Sequence, residues 1–507
     1  MSRRGTGGRA GRHERRAAPL PINPAPPGPV GGQYKPLQAG EIDAIIDTAL
    51  NLLEQLGIGD VPGRLADLFQ AAGAKFEGGR VYIPRSLVFQ AIEAAPKTST
   101  LHGRDPARSI TVGGQNVHYG TGGAAVQTLD IDSRTYRDAT LADLYQFTRL
   151  ADQLTNVSWF TRCCVATDMV GEWALDINTA YALLVGTTKP VATSFTLADH
   201  VAPIVRMMDM AQGRAGAFCE RPWIFAHISP MISPMRYGAD AVDVCFECIA
   251  HNITISNITA AQSGATAPAT LAGFLAQSLA ETLAAQAMVH VIKPGHPMIF
   301  SNWPLVIDLR TGAFTGGGGE TAVMNAASAQ IINHLGLVSG VASSMTDAKP
   351  LDAQYGAEKG VTALAAGLSG ANMIYESAGM TSALLGASFE GFVLDNDMLG
   401  NIYRTLRGVE VSAETLGFDA ICEAVRGDGH FLGHGQTMAA MERDYFYPEL
   451  ADRDDPRTWA QNGALTAWDR ANARVRDMLS GPRPSYLGAE ADAAIRAEFD
   501  IQLELPE

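Results

Sequence analysis

Cysteines, basic residues and long apolar runs are scarce in this sequence, and each scarcity excludes a class of protein. Six cysteines in 507 residues are too few for a disulfide scaffold, so we expect a reducing, cytoplasmic setting. A formal net charge of -15 argues against general nucleic-acid binding, which needs a basic surface to neutralise phosphates. The longest uncharged run, Asn252 to Ala280, is too rich in Ser, Thr, Gln and Asn to predict a membrane-spanning helix.

The two ends of the N-terminal 140 residues differ in composition. Residues 1–36 hold six arginines followed by PINPAPPGPVGG, a composition that cannot bury enough apolar surface to offset the entropy of ordering. We predict a disordered basic arm there, and a solvated tail is a simpler interpretation than a docking role. Residues 37–140 show helical spacing from Ile42 to Leu56 and then alternating stretches with Gly- and Asp-rich turns. They predict an N-terminal cap of helices and β-hairpins.

A repeating pattern of short apolar runs, each followed by a helical span, occupies the centre of the chain. Strands that recur in this way predict a (β/α)8 barrel or a doubly wound sheet. No GxGxxG follows an early strand, so the barrel is favoured. We assign residues 141–425 to the barrel and 426–507 to a C-terminal helical extension. Seven strands are recognisable and the eighth is not: Val157 to Ala166, Pro190 to Phe195, Pro222 to Ile228, Ile253 to Ile258, Pro297 to Asn302, Leu337 to Ala342 and Asn372 to Glu376.

Polar residues follow the ends of these runs. Barrel enzymes build their sites at the carboxyl ends of the strands, so these residues are candidates for a site, although loop polar groups must also satisfy neighbouring backbone. The stretch from Ile307 to Lys359 stands out because it places an arginine, four consecutive glycines and a second polar loop after two apolar runs. The candidates are His227, Asn257, Asn302, Asp308, Arg310, Ser344, Asp347, Lys349 and Glu376.

Several long motifs carry a resemblance to a known family. They are HGRDP, HYGTGGAAVQTLD, LRTGAFTGGGGE, MTDAKPLDAQYGAEKG, and HFLGHGQTM followed by ERDYFYPELADR. In this order they resemble the trimethylamine methyltransferase family of corrinoid-dependent methyltransferases over about residues 37 to 480. The resemblance implies an α/β (β/α)8 TIM barrel that transfers a methyl group from a methylated amine to the cobalt of a separate corrinoid protein.

The resemblance also implies a class of substrate. The archetypal trimethylamine enzymes of this family contain pyrrolysine, whereas this sequence shows only standard residues. Members without it that have an assigned function act on quaternary amines, so a substrate such as glycine betaine is implied, with trimethylamine as the alternative. A quaternary ammonium already has a neutral amine as its leaving group, so the protein must supply position and electrostatics rather than an acid or base. The corrinoid (cobalamin) is then the partner protein's cofactor, none is bound tightly here, and we expect a homo-oligomer.

Roles can be assigned to residues on this basis. Arg310 is the predicted anchor for a substrate carboxylate, because guanidinium and carboxylate geometries match; a salt bridge to Asp308 is the alternative. Glu376, at the end of the seventh strand, is the predicted catalytic residue, which balances the positive nitrogen; a hydrogen bond to a neighbouring residue is the alternative. A second group, more usually used in packing, polar contacts or flexible loops, comprises Tyr355, Trp303 and Tyr119 as a cation-binding surface, Ser344 as a weaker polar contact, and Gly316, Gly317, Gly318 and Gly319 as the loop that faces the corrin.

Two other functions remain open at this level. One is a barrel that binds betaine without catalysis. The other is a zinc-dependent thiol methyltransferase that uses Cys245, Cys248 and His251, whose spacing is ligand-like. AVDVCFECIAH is typical of a helix with an apolar face, which favours buried free cysteines. A neutral amine leaving group needs no Lewis acid, so we predict no metal.

Overall fold

A barrel of eight parallel strands forms the centre of the computed structural model, which describes residues 23–505. Each strand is followed by a helix, as the repeating pattern predicts. The strands are β1 His118–Tyr119, β2 Phe160–Thr161, β3 Val191–Thr193, β4 Ile224–Ile228, β5 Ile255–Thr259, β6 Met298–Asn302, β7 Ser339–Ala342 and β8 Met373–Tyr375. The helices are α1 Leu141–Gln153, α2 Glu172–Gly186, α3 Val201–Gln212, α4 Ala239–Ala250, α5 Leu271–Ile292, α6 Gly319–His334, α7 Ala353–Leu368 and α8 Phe389–Arg407.

The order of the strands closes the sheet on itself. The parallel ladder runs β1-β8-β7-β6-β5-β4-β3-β2. Its two ends are joined, because the amide of Ser158, just before β2, donates to the carbonyl of Tyr119 at 2.7 Å, and the amide of Thr121 donates to the carbonyl of Trp159 at 3.4 Å. The predicted (β/α)8 barrel is therefore confirmed.

Side chains alternate between the barrel interior and the surrounding helices, as strand geometry requires. Along β5, Ser256 and Ile258 face inward, where the Ser256 hydroxyl lies 2.7 Å from that of Tyr375. Thr259, which follows Ile258, faces outward, and its hydroxyl lies 3.0 Å from that of Thr282 on α5. One apolar core thus fills the barrel, and a larger one lies between strands and helices.

Helix α5 explains the long uncharged run. It is buried over most of its 22 residues because the cap helices Ala39–Asn51 and Arg85–Ala94 cover the side that the barrel leaves open. A helix that is apolar on all faces is expected when it is enclosed on all sides. Within residues 23–505, no helix combines the length and hydropathy needed to cross a membrane.

The cap is shorter than the sequence pattern indicates. It contains the two helices above, helix Gly63–Ala71 and the hairpin Lys75–Glu77 with Arg80–Tyr82. A second hairpin pairs Thr98–Leu101 with Ile110–Gly113. Strand β1 lies within residues 37–140, so the barrel begins inside the segment that we assigned to the cap, and it ends with α8 rather than at residue 425.

The two chain ends pack on the barrel. In the basic arm, the amides of Gly28 and Gly31 donate to the carbonyls of Val117 and Gln115, both at 2.9 Å, so this part is ordered. The rest of the predicted disordered arm, residues 1–22, lies outside the described residues. Helix Ala467–Ser480 packs against α8 and α1. The other C-terminal helices are Ala413–Leu416, Phe418–Arg426, Gly435–Arg443, Pro456–Gln461 and Ala489–Glu498.

Short strands in the loops after the barrel strands build a rim around the carboxyl end. Each of them stands between a barrel strand and the helix that follows it. This is the end at which barrel enzymes hold their sites. The rim strands are Gln127–Leu129, Tyr136–Asp138, Met231–Ile232, Arg236–Tyr237, Gln262–Ser263, Leu305–Ile307, Phe314–Thr315, Met380–Thr381 and Gly386–Ser388.

Candidate active site

A cavity of about 450 Å³ occupies the carboxyl end of the barrel. Its rim residues Ala124, Ser229 and Ala260 are small and exposed, so the cavity opens to solvent. A larger cavity of about 560 Å³ lies at the opposite end, beside Gln38 and Gln330, and buried charged side chains are absent from its described lining. The chemistry of the first cavity is therefore the more informative.

Glu376 is a buried carboxylate in this cavity, directly after β8. Neither of its carboxylate oxygens has a hydrogen-bond partner within residues 23–505. Burial raises the pKa of Glu376 to about 8, and the nearby positive charge of Lys359 only partly counteracts this. Its backbone has a φ of 65°, a conformation that non-glycine residues adopt rarely and chiefly at functional sites. Glu376 is therefore placed to bind a cation, because no described residue pairs with its carboxylate oxygens.

The glycines of HYGTGG make room for this carboxylate. A Cβ atom at Gly122 would lie 2.8 Å from Oε1 of Glu376, and one at Gly123 would lie 2.9 Å from Oε2. Both distances are shorter than a carbon-oxygen contact allows. Here the glycine-rich end of β1 is more than a turn, because any side chain would displace the Glu376 carboxylate.

A buried network holds the Glu376 loop in place. The ammonium group of Lys359 donates to the carbonyl of Ser344 at 2.6 Å and lies 3.5 Å from the carbonyl of Glu376. The same ammonium lies 3.2 Å from Oδ2 of Asp395, which also accepts from the Tyr355 hydroxyl at 2.7 Å. Lys359 thus joins the loops after β7 and β8.

Aromatic rings form one wall of the cavity. Trp303 and His227 both line it, and their ring centroids lie 5.3 Å apart. Tyr375 lies behind them, stacked on His227 with centroids 5.5 Å apart, and Trp159 contacts Tyr375 edge-on. Burial, with a further contribution from the charge of Arg162, lowers the pKa of His227 to about 3, so its ring is neutral. Aromatic faces beside an unpaired carboxylate are the surroundings that an organic cation requires.

Arg162 also lines the cavity, just after β2, and the sequence patterns did not identify it. Its guanidinium forms no hydrogen bond or ion pair with any described residue. Burial lowers its pKa, and the charge of Asp176 opposes this shift. A signal was present in the sequence, because Arg162 is the single charged residue in the apolar run from Val157 to Ala166.

Of the predicted site residues, Glu376 and Trp303 line this cavity and Arg310 does not. The side chain of Arg310 is 88% exposed, and its guanidinium binds the carboxylate of Asp308 at 2.7 Å. The arrangement is the salt bridge that stood as the alternative interpretation. The residue turns away because Leu305–Ile307 pairs with Phe314–Thr315, which places Arg310 at the tip of a hairpin.

Three other predicted contact residues lie behind the cavity wall. The Tyr119 hydroxyl donates to the carbonyl of Ala363 at 2.9 Å, between barrel and helices. Tyr355 belongs to the Lys359 network, and Ser344 contributes its carbonyl oxygen to it. None of the three is among the described lining residues. Their positions fit support of the Glu376 loop better than contact with a cation.

The four glycines Gly316–319 lie at the carboxyl end but outside the described cavity lining. The amide of Gly316 donates to Asp347 at 2.7 Å, and a Cβ atom at Gly317 would lie 2.3 Å from the carboxyl group of Glu358. Gly318 and Gly319 begin α6. Close packing on neighbouring carboxylates accounts for the glycine at 317, and a role toward a corrin ring stays a prediction.

The remaining candidates at strand ends divide by the direction of their side chains. His227 lines the cavity. Asn257 and Asn302 face outward, because the Asn257 amide donates to Thr259 at 3.2 Å and the Asn302 amide to Ser278 at 3.1 Å. Asp347 binds the glycine loop, and the ammonium of Lys349 binds the Asp347 carbonyl at 2.8 Å. A position at the end of a strand thus predicts the end of the barrel at which a residue lies, but not whether its side chain faces the cavity or the surrounding helices.

The cysteine-histidine spacing does not form a ligand cluster. Cys245 and Cys248 are fully buried in the apolar core, and burial raises the pKa of both thiols. Nδ1 of His251 lies 2.9 Å from the carbonyl of Glu247, one helical turn earlier. Within the described part of the chain, no group of three or more His, Cys, Asp or Glu side chains converges as metal ligands would.

The fold and the cavity together define a class of protein. A (β/α)8 barrel with an open cavity at its carboxyl end, lined by aromatic rings and an unpaired buried carboxylate, is the architecture of an enzyme that acts on a small molecule. The model of the trimethylamine methyltransferase family matches residues 4–502. The chain belongs to this family of methyltransferases.

Known relatives extend over most of the chain. A glycine betaine methyltransferase of Desulfitobacterium hafniense is 28% identical over 92% of this chain and 96% of its own length. The trimethylamine methyltransferase MttB of another strain of that species is 28% identical over 90% of this chain and 92% of its own. The solved monomethylamine methyltransferase of Methanosarcina barkeri is 13% identical, covers 89% of this chain and 95% of its own, and has a TM-score of 0.46. That score is too low to decide the fold, which rests on the strand order above.

Proposed function

We propose that this chain transfers a methyl group from a quaternary or tertiary methylated amine, such as glycine betaine, to cobalt(I) of a separate corrinoid protein. The observation that carries the proposal is the carboxyl group of Glu376, which is buried in an open cavity and has no hydrogen-bond partner for either oxygen among residues 23–505. Burial disfavours the ionised form of this carboxyl group and raises its pKa to about 8, and a bound cation stabilises the ionised form. The aromatic wall around Trp303 favours a diffuse cation such as a methylated ammonium over a hydrated metal ion.

With a quaternary substrate the proposed reaction requires no protein acid or base, whereas a tertiary amine must carry a proton on nitrogen before its methyl group is transferred. The bond between nitrogen and the methyl carbon breaks with its electron pair remaining on nitrogen, which leaves as a neutral amine. The methyl carbon forms its new bond with the electron pair of reduced cobalt. Glu376 and Trp303 hold and orient the nitrogen, so the chain contributes position and electrostatics.

The mouth of the cavity supports a second macromolecule as the methyl acceptor. Its exposed rim residues Ala124, Ser229 and Ala260 are small, so a flat ring can approach without clashing with long side chains. The corrinoid is the partner's cofactor in this proposal and meets this chain only during transfer. The relatives favour this class of reaction, since they are methyltransferases for glycine betaine and trimethylamine. The absence of pyrrolysine from the sequence favours a quaternary substrate over trimethylamine.

We also propose that copies of this chain associate through the segment that follows α8. It leaves α8 at Arg407 and returns at Asp444, where the two side chains lie 3.3 Å apart. Phe418, Ile421 and Val425 are exposed along the helix Phe418–Arg426. Barrel helices end opposite the carboxyl end of the strands, so a cobalt carrier that serves the cavity cannot dock here, and a second copy is the proposed occupant. Light scattering should show a mass above 53.7 kDa that Phe418→Glu with Val425→Glu reduces to the monomer; a monomeric parent would refute this.

The cysteines support a reducing location. All six are free thiols, and Cys163, Cys164, Cys245 and Cys248 are buried. Free thiols persist where glutathione and thioredoxin keep them reduced, so we propose the cytoplasm. Recovery of the chain in the soluble cytoplasmic fraction of its host is the expected result, and recovery from an oxidising compartment would contradict it.

The direct test is methyl transfer in solution. The full chain, incubated with glycine betaine and cob(I)alamin, should generate methylcobalamin absorbance together with dimethylglycine. Glu376→Gln should weaken binding of the amine at least ~30-fold, since a buried charge pair contributes about 2 kcal/mol or more. Glu320→Gln, an exposed glutamate at the start of α6, is the matched control. Tight betaine binding without transfer would instead support a barrel that binds betaine without catalysis.

A further inference from the structure

We propose that Arg162 binds an anionic group of the substrate, so that the cavity selects zwitterionic methylated amines over those that carry only a positive charge. This inference rests on the proposed function and adds a second charge to the substrate. Its evidence is independent of Glu376, because it comes from the opposite charge on a different strand of the barrel.

The guanidinium of Arg162 has no partner among the described residues. It lines the cavity, and it forms no hydrogen bond or ion pair within the described part of the chain. The nearest acidic influence is Asp176, whose carboxylate is already occupied. Oδ2 of Asp176 lies 2.7 Å from Nδ1 of His200 and accepts from the Thr196 amide at 2.6 Å, while Oδ1 accepts from the Thr196 hydroxyl at 2.8 Å.

Other enclosed arginines of this protein show what a structural role looks like. Arg149 is buried, and its guanidinium donates to the carbonyl of Gly481 at 3.0 Å and to the side chain of Gln146 at 2.9 Å. Arg104 donates to the carbonyl of Leu184 at 2.7 Å and also binds the carbonyl of Tyr486. Arg162 makes no such bonds with the residues that the structure describes, and it borders an open cavity instead. It is therefore placed for a ligand rather than for the fold.

Arg162 and Glu376 do not neutralise each other. Both line one cavity, yet both oxygens of Glu376 are unpaired. The charged group that acts on Glu376 is Lys359, behind it, whereas the one that acts on Arg162 is Asp176. The cavity is therefore lined by a carboxyl group and a guanidinium, neither of which has a hydrogen-bond partner among the described residues, and a bound cation would stabilise the ionised carboxylate. A ligand with both charges satisfies the two groups together, which a simple cation cannot do.

The donors around Arg162 indicate which anionic group the ligand carries. A guanidinium presents paired donors that match the two oxygens of a carboxylate. Ser194 and Ser229 line the same cavity and offer hydroxyl donors to the same group. The neutral ring of His227 adds no competing positive charge. A carboxylate is thus the best match, and a phosphate or sulfonate shares its recognition chemistry.

The experiment compares ligands that differ in charge, on the full-length protein, by calorimetry. The probes are glycine betaine, phosphocholine, choline and tetramethylammonium. The parent protein should bind glycine betaine at least tenfold more tightly than choline or tetramethylammonium. Arg162→Met should weaken glycine betaine at least thirtyfold and leave tetramethylammonium within threefold, and Glu376→Gln should weaken both. Arg214→Met, which removes an exposed arginine paired with Glu220, is the matched control.

Each outcome has a defined meaning. Equal affinity of the parent for glycine betaine and choline, or equal losses for both ligands in Arg162→Met, would overturn the role of Arg162 while leaving methyl transfer intact. Absence of methyl transfer from every ligand would refute the proposed function, even if Arg162→Met still weakened zwitterions selectively. Tighter binding of phosphocholine than of glycine betaine would assign the anionic group to phosphate. If Arg162→Met does not fold, Arg162→Lys must reduce the preference for betaine at least fivefold, and an unchanged preference would overturn the proposal.

Discussion

The ammonium group of Lys359 lies 3.2 Å from Oδ2 of Asp395, and both side chains are fully buried. Asp395 also accepts from the amide of Gly379 at 2.7 Å, so the pair connects α7 and α8 to the loop that carries Glu376. Burial lowers the pKa of Lys359, while Asp395 counteracts this shift. Well-bonded buried ion pairs hold a geometry more than they add stability, and here the geometry is that of the site.

Lys359→Met should therefore destabilise the protein. It leaves the Asp395 charge and the Ser344 carbonyl without their donor, and breaking one side of a buried pair lowers the free energy of unfolding by about 3–5 kcal/mol. Urea denaturation of the parent and the variant measures the difference. Adding Asp395→Asn to Lys359→Met removes the stranded charge but keeps an acceptor for Gly379, so the double variant should recover part of the loss. A double variant less stable than Lys359→Met would show that the pair is not the cause.

Glu376 should make stability fall as pH rises. The ordinary pKa of its carboxyl group is 4.5 and burial raises it to about 8, so between these values the folded chain keeps a proton that the unfolded chain has lost. More protons on the folded state mean that stability decreases with pH across this window. Glu376→Gln lacks this titration and should be more stable than the parent at pH 9 by about 5 kcal/mol, because the pKa rises from 4.5 to about 8 and each pKa unit corresponds to about 1.4 kcal/mol.

The measurement is the difference in melting temperature between Glu376→Gln and the parent at pH 5 and pH 9, without ligand. The difference should be small at pH 5 and favour the variant at pH 9. Saturating glycine betaine should narrow it at pH 9, because the bound cation stabilises the ionised carboxylate. A difference that is the same at both pH values would show that Glu376 titrates normally.

The strands and helices of the barrel could be predicted from their apolar residues. Enclosed parallel strands are short apolar runs, and apolar residues recur about every 3.6 residues along the helices that cover them. β1 escaped detection for a physical reason. It has two paired residues and runs into glycines that accommodate Glu376, so it has no pattern of its own.

The site was only half predictable. Glu376 and Trp303 follow their strands into the cavity, but Arg310 lies beyond a further strand, Leu305–Ile307, that carries the chain outward. A position after a strand gives the end of the barrel, whereas the direction of a side chain depends on pairing in the loops. Arg162 shows the complementary lesson, because a lone charge in an apolar strand requires either a buried partner or a ligand.

Trp303 should contribute to cation binding through its ring face. Trp303→Leu keeps an apolar side chain, although a smaller one, but removes the π system, and should weaken tetramethylammonium binding by about 1–2 kcal/mol. Trp303→Phe should retain most of the affinity, and Trp459→Leu, at a partly exposed tryptophan of the C-terminal region, is the control. Calorimetry at fixed pH measures the three variants. Equal losses for Leu and Phe would indicate lost packing rather than a lost ring face.

Chelation should leave methyl transfer unchanged. Cys245 and Cys248 are enclosed in the core, where burial raises the pKa of their thiols and opposes the thiolate that zinc requires. Dialysis against EDTA should therefore not reduce the rate, and Cys245→Ala with Cys248→Ala should lower stability without abolishing transfer. Stoichiometric zinc in the purified protein, with activity lost on chelation and restored by zinc, would favour the thiol methyltransferase instead.

Gly122 offers the sharpest steric test of the site. Gly122→Ala adds one carbon that would lie 2.8 Å from Oε1 of Glu376. Its φ lies outside the left-handed region, so backbone strain does not confuse the result as it would at Gly123, whose φ is 98°. The carboxylate must move by a few tenths of an ångström, which weakens its Coulomb attraction for a cation at about 4 Å by roughly 0.4 kcal/mol at an effective dielectric constant of about 20, so cation affinity should fall about twofold. Gly63→Ala, where the added carbon meets no atom within 4 Å, is the control, and unchanged tetramethylammonium binding in Gly122→Ala would remove Glu376 from contact with the cation.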